Sequence, residues 1–91
     1  HATDEWLRLS DIPTEHTMDI RLTFDSDEAN LDLTLTDAAA APIETSAGIA
    51  DTERIRFVTP AEGEPADYLI RITNRTPGSV LPWRLDVDVS R

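Results

Sequence analysis

Apolar residues recur at every second position through most of this chain, a spacing that suits strands and not helices. In Thr17 to Phe24 the residues Met18, Ile20, Leu22 and Phe24 point one way, and Asp19, Arg21 and Thr23 the other. Leu31 to Thr36 repeats the pattern, with Leu31, Leu33 and Leu35 inward and Asp32, Thr34 and Thr36 outward. Tyr68 to Asn74 sets Tyr68, Ile70 and Ile72 against Leu69, Arg71 and Thr73. Trp83 to Ser90 sets Trp83, Leu85, Val87 and Val89 against Arg84, Asp86 and Asp88. Shorter segments read the same way. Trp6 to Ser10 hides Leu7 and Leu9, Arg54 to Thr59 hides Ile55 and Phe57, and Ile43 to Ser46 is a weaker strand. One apolar face per strand is the signature of half-buried antiparallel sheet.

Turn-forming residues separate these segments. Asp11-Ile12-Pro13-Thr14 and Thr76-Pro77-Gly78-Ser79 read as turns, and Pro60 to Ala66 holds two prolines and a glycine. The alanine run Asp37 to Ala41 is the best helix former, but Pro42 ends it at once, leaving a loop or a single turn. Seven to eight short strands with such punctuation predict an all-β fold, a jelly-roll-like antiparallel β-sandwich spanning residues 1–91 as a single domain. Pairing of the first and last strands is expected, to bury both ends of the chain. Arginines on outward faces are expected to lie opposite aspartates.

The charge balance limits the partners. Eighteen acids against eight bases give a net charge of −10. That excludes nucleic acid, whose phosphates need a basic patch, and adhesion to an anionic membrane. No apolar run nears the roughly 18 residues of a membrane span, so membrane insertion is not expected, and no signal peptide is seen. Absence of cysteine removes a disulfide framework, a thiolate zinc site and a thiol nucleophile. All the bases are arginine. A lysine-free acidic chain fits either adaptation to high salt, where screening relieves self-repulsion, or a GC-rich genome.

The strands taken in order resemble a family. Asp4-Glu5-Trp6-Leu7-Arg8-Leu9 is similar to the opening acidic-aromatic strand of the bacterial and archaeal pre-peptidase C-terminal domain. Asn30 to Asp37 is similar to its central strand and turn, and Thr52 to Phe57 to its glutamate-led strand. Tyr68 to Ile72 followed by Trp83 to Val87 is similar to its closing pair. The chain departs from the family where Glu64-Pro65-Ala66-Asp67 separates Gly63 from Tyr68, lengthening a turn, and where Thr34 and Thr36 stand in place of an outward aromatic. The resemblance implies a jelly-roll-like sandwich appended to a secreted or cell-surface protein, extracellular or periplasmic. Its role would be accessory: substrate attachment, stability or secretion, with no catalytic residues. Its partner would be a protein or polysaccharide surface, or a neighbouring domain or subunit. A function of another class is a self-assembling subunit of an extracellular filament or surface layer, with edge strands pairing between copies.

Chemistry-bearing residues are few. His1 and His16 are the only histidines and no serine lies in a strained elbow, so hydrolytic catalysis is not expected. Calcium is the metal candidate, because Asp25, Asp27 and Glu28 crowd one turn with alternate spacing that lets carboxylates converge. The competing reading is a solvated acidic turn. Some members of the family bind calcium near the start of the domain, where Asp4 and Glu5 stand. His1, His16 and Met18 offer borderline and soft ligands to copper, but Met18 falls on the apolar face and His1 fits a cloning remnant equally well. Trp6 and Trp83 could stack on sugars, with core or rim packing as the alternative. Asn74-Arg75-Thr76 matches the N-glycosylation triplet.

Overall fold

A computed structural model describes residues 3–24, 31–46, 52–74 and 83–91. They form seven strands and no helix: β1 (Thr3–Ile12), β2 (Thr17–Phe24), β3 (Leu31–Asp37), β4 (Pro42–Ser46), β5 (Thr52–Val58), β6 (Ala66–Asn74) and β7 (Trp83–Ser90). Every pairing is antiparallel. One sheet has the order β1-β6-β3-β4 and the other β5-β2-β7, so a four-stranded sheet lies against a three-stranded one. This is the all-β sandwich that the alternation predicts.

The core is built from the inward positions. Met18, Ile20 and Leu22 of β2, Leu33 and Leu35 of β3, and Ile70 of β6 are fully shielded from solvent. Leu33 stands opposite Ile72 and Leu35 opposite Ile70 in one sheet. Ile20 stands between Ile55 and Val87 in the other. Central strands therefore carry the burial, at about 25 cal/mol for each Å² of apolar surface removed from water.

Several expectations need correction. β1 does not pair with β7; it pairs with β6, while β7 pairs with β2. The first and last strands thus belong to different sheets. β1 is longer than Trp6 to Ser10, and Asp11 and Ile12 belong to it rather than to a turn. A register shift between Leu9 and Ile12, with Asp11 at φ 55°, carries the strand through. Asp32, Thr34 and Thr36 do not face water. All three are buried, Thr34 and Thr36 almost completely, so β3 is covered on both sides. Trp6 shares the outward face with Arg8 and is 46% exposed, whereas Leu7 on the inward face is still 37% exposed.

Local chemistry explains the connections. The Asp37 carboxylate accepts hydrogen bonds from the backbone N–H groups of Ala39 and Ala41, both at 2.9 Å. That captures donors a helix would need, so the alanine run closes as a turn with Ala40 at φ 65°. At the β1–β2 turn, Thr59 acts as a clasp. Its hydroxyl accepts from the His16 N–H at 2.9 Å and donates to the Pro13 carbonyl at 2.8 Å. Its own N–H donates to the His16 carbonyl.

The two long sides of the sandwich differ. β3 and β4 pack over β5. There Ser46 of β4 donates to Glu53 of β5 at 2.5 Å, and the Arg54 N–H donates to the Ser46 hydroxyl at 3.3 Å. Glu53 is inward-facing beside Leu22 and only 4% exposed. This side is closed across the sheets. The stacking order leaves β1 and β7 on the other side, where no sheet pairing joins them among the described residues.

Candidate functional site: an apolar groove at one end of the sandwich

The end of β3, the start of β6 and the end of β5 meet at one pole of the molecule. Register places Asp37 opposite Tyr68 and Phe57 opposite Met18. Between the sheets at this pole lies an open groove of about 520 Å³. Its walls are Ile43, Phe57 and Tyr68, with Ala38, Ala39, Pro60 and Ala66 around them. Asp37 and Asp67 complete the lining. The size matches small-ligand or side-chain pockets, which run about 300–1,000 Å³.

The Phe57 and Tyr68 rings meet edge to face, with centroids 5.9 Å apart and planes inclined at 62°. That geometry fixes an aromatic floor. Ile43 is the exposed wall, at 39%.

The two carboxylates are held by the protein. Asp37 is engaged by the alanine turn. Asp67 accepts from the Asp11 N–H at 2.9 Å and from Arg8 Nε at 3.2 Å. The backbone N–H of Asp11 chiefly holds the Asp67 carboxyl below the usual carboxylate range; burial opposes it, and Arg8 adds a further lowering. On the outer face of the second sheet, Arg54 grips Asp19 with two bonds, at 2.9 and 2.6 Å, and depresses its carboxyl likewise. Asp19 also stands opposite Arg56, and Arg21 opposite Asp86, as expected for outward pairs. Arg21 also faces Arg54, and Asp19 faces Asp88.

Both depressed carboxyls are more acidic folded than unfolded. Their pairs therefore stabilise the fold above the unfolded value, near pH 4, and that contribution is lost as pH falls through the lower folded values. Asp67→Asn is expected to lower the urea midpoint at pH 7 and to lessen its fall between pH 4 and pH 2. An unchanged pH dependence in the variant contradicts this role for Asp67.

The other candidates are dispersed. Asp25, Asp27 and Glu28 lie outside the described residues, as do His1, Arg75 and Thr76. Asp4 and Glu5 occupy successive positions of β1, so their carboxylates leave opposite faces of the strand. Met18 is fully buried in the core and its sulfur is not offered to a metal. The His16 ring Nδ1 is 2.7 Å from the Thr14 carbonyl oxygen. No cluster of three or more His, Cys, Asp or Glu able to hold a metal occurs among the described residues. Trp83 is half-buried and packs against the core. Trp6 is the exposed one, and the Arg71 guanidinium lies 5.6 Å from its ring centroid. No described helix is long and apolar enough to cross a membrane.

Sequence reasoning placed Phe57 and Tyr68 in the core and did not foresee the groove. The core placement holds, since Tyr68 belongs to the core and Phe57 packs against it. The groove arises from the β3–β6 register and the turn at Asp37, which bring distant residues to one pole. No family model matches the chain, and no curated protein matches it.

Proposed function

We propose that this chain is a non-catalytic accessory module of a secreted or cell-surface protein, and that it attaches its parent to a protein surface. The proposal agrees with the resemblance of its strands to the pre-peptidase C-terminal domain. The observation that carries it is the groove at the pole of the sandwich: an aromatic floor, an aliphatic wall and two carboxylates. Each carboxylate is committed to backbone or arginine donors, so it supplies negative potential rather than a proton to be exchanged. Apolar walls with fixed acids favour a ligand that is apolar along its length and cationic at its tip. Arginine and lysine side chains have that form. Potential from the net charge of −10 adds to the attraction.

The test is a titration followed by amide chemical shifts, using phenethylammonium as the apolar cation and phenylacetate as its charge-reversed control. The cation is expected to shift Phe57, Tyr68 and their neighbours, and the anion to leave them unmoved. Ile43→Ser removes part of the wall at an exposed position and should weaken the cation about fivefold, equivalent to ~1 kcal/mol. Equal responses to both probes, or shifts confined to residues away from the groove, overturn the assignment.

A further inference from the structure

Among the described residues four strands lie over three, and no strand of the second sheet packs closely beneath the inward face of β1. Exposure follows the gap. Leu7 of β1 is 37% exposed although it points inward, and Val89 of β7 is 40% exposed although it stands opposite the fully buried Met18. Leu85 and Val87 are only half-buried. On the opposite side, β5 is sealed by Ser46.

β7 is also open along its backbone. Among the described residues it pairs with β2 alone, and its eight residues run in unbroken register from Trp83 to Ser90. It contains no proline and no bulge, the devices that usually blunt an edge. β1 differs, because its register shift and the positive φ of Asp11 interrupt it.

We infer that β7 accepts an extended segment of a partner protein as an eighth strand, and that this segment alternates apolar with cationic residues. The inference rests on the reading of the chain as a binding module and names the partner's form. Apolar residues at alternate positions would cover Leu7 and extend the row of Leu85, Val87 and Val89. The other positions would face the outward side of β7, where Arg84, Asp86 and Asp88 stand; Arg84 already bonds Asp86 at 3.3 Å, which leaves Asp88 as the main acid offered to a partner's cation. Asp88 stands opposite Asp19, whose carboxylate is already held by Arg54, so a partner's cation would supply Asp88 with a facing charge of its own. A second copy of this chain fits poorly. It would bring together two molecules that each carry −10.

The test uses the full chain and an acetylated, amidated octapeptide alternating valine and arginine. An octapeptide alternating valine and glutamate is the control. Hydrogen–deuterium exchange and a binding isotherm are the readouts. The arginine peptide is expected to bind and to slow exchange in β7, and the glutamate peptide to do neither. Reversing both charges, Asp86→Arg with Asp88→Arg, should weaken the arginine peptide about tenfold and let the glutamate peptide bind. Glu62→Arg with Glu64→Arg changes the net charge equally at exposed loop positions and should have less than a twofold effect. If both double variants lose affinity equally, bulk charge attracts the peptide and the inference fails. Protection at Phe57 and Tyr68 with none in β7 also overturns it, while leaving the groove reading intact. Concentration-dependent protection of β7 without peptide makes a second copy the occupant and overturns it too. So does failure of the arginine peptide to bind.

Discussion

Leu33→Asp is expected to abolish the folded state. Leu33 lies at the middle of β3, with no exposed surface, opposite Ile72 on one side and Ser46 on the other. Shortening a buried leucine to alanine already costs about 2–5 kcal/mol. An aspartate adds a carboxylate between two sheets with no cation facing it, at a further cost of several kcal/mol. A chain of this length has about 5–14 kcal/mol of stability in total. The sum is comparable with that whole reserve. Circular dichroism should therefore lose its β signature and its cooperative melt at 25 °C, with Leu33→Ala retaining a lowered melt as the volume control. A cooperative transition in Leu33→Asp within a few degrees of the parent contradicts the placement of this residue.

Thr36→Asp is expected to be the next most damaging change, although the alternation alone assigns Thr36 to the solvent. Thr36 is 1% exposed and stands between Leu69 and Pro42 in register. Its hydroxyl donates to the Asp37 carbonyl at 2.9 Å. A carboxylate there is buried, lacks a facing cation and adjoins Asp37. The cost should be about 3 kcal/mol, lowering Tm by at least ~12 °C. Thr34→Asp makes the informative comparison. Thr34 is equally buried and its hydroxyl lies 3.4 Å from that of Thr45, but it stands opposite Arg71. The guanidinium offsets part of the burial cost, so this change should cost about 1 kcal/mol. If both variants melt with the parent, the outer face of β3 is open to water. If Thr34→Asp is the worse of the two, Arg71 does not face it.

The contrast shows what alternation conveys and what it omits. It conveys which face of a strand is apolar. For β2 and β7 it gives the boundaries as well, Thr17 to Phe24 and Trp83 to Ser90. It does not convey whether the second face is covered. Threonine satisfies its hydroxyl locally and tolerates both settings, so Thr34 and Thr36 read as outward when they are in fact hidden. Nor does it say which strands are neighbours. The polar residues of β1 fit an edge beside β7 or β6 equally well, and only the packed fold selects β6. The Asp37 turn was legible, since Pro42 forbids a helix through it. The groove was not, because Ile43, Phe57 and Tyr68 are brought together by topology rather than by spacing.

Residue-resolved amide hydrogen exchange tests the central claim most directly. The central strands β2, β3 and β6 should be the slowest to exchange, with the amides of Ile20, Leu33 and Ile70 opening only by global unfolding. The outer strands β4 and β7, each bonded along one edge among the described residues, should exchange faster at alternate amides. Fast exchange throughout β3, or protection in the i, i+4 pattern of a helix, would contradict a core held between two antiparallel sheets.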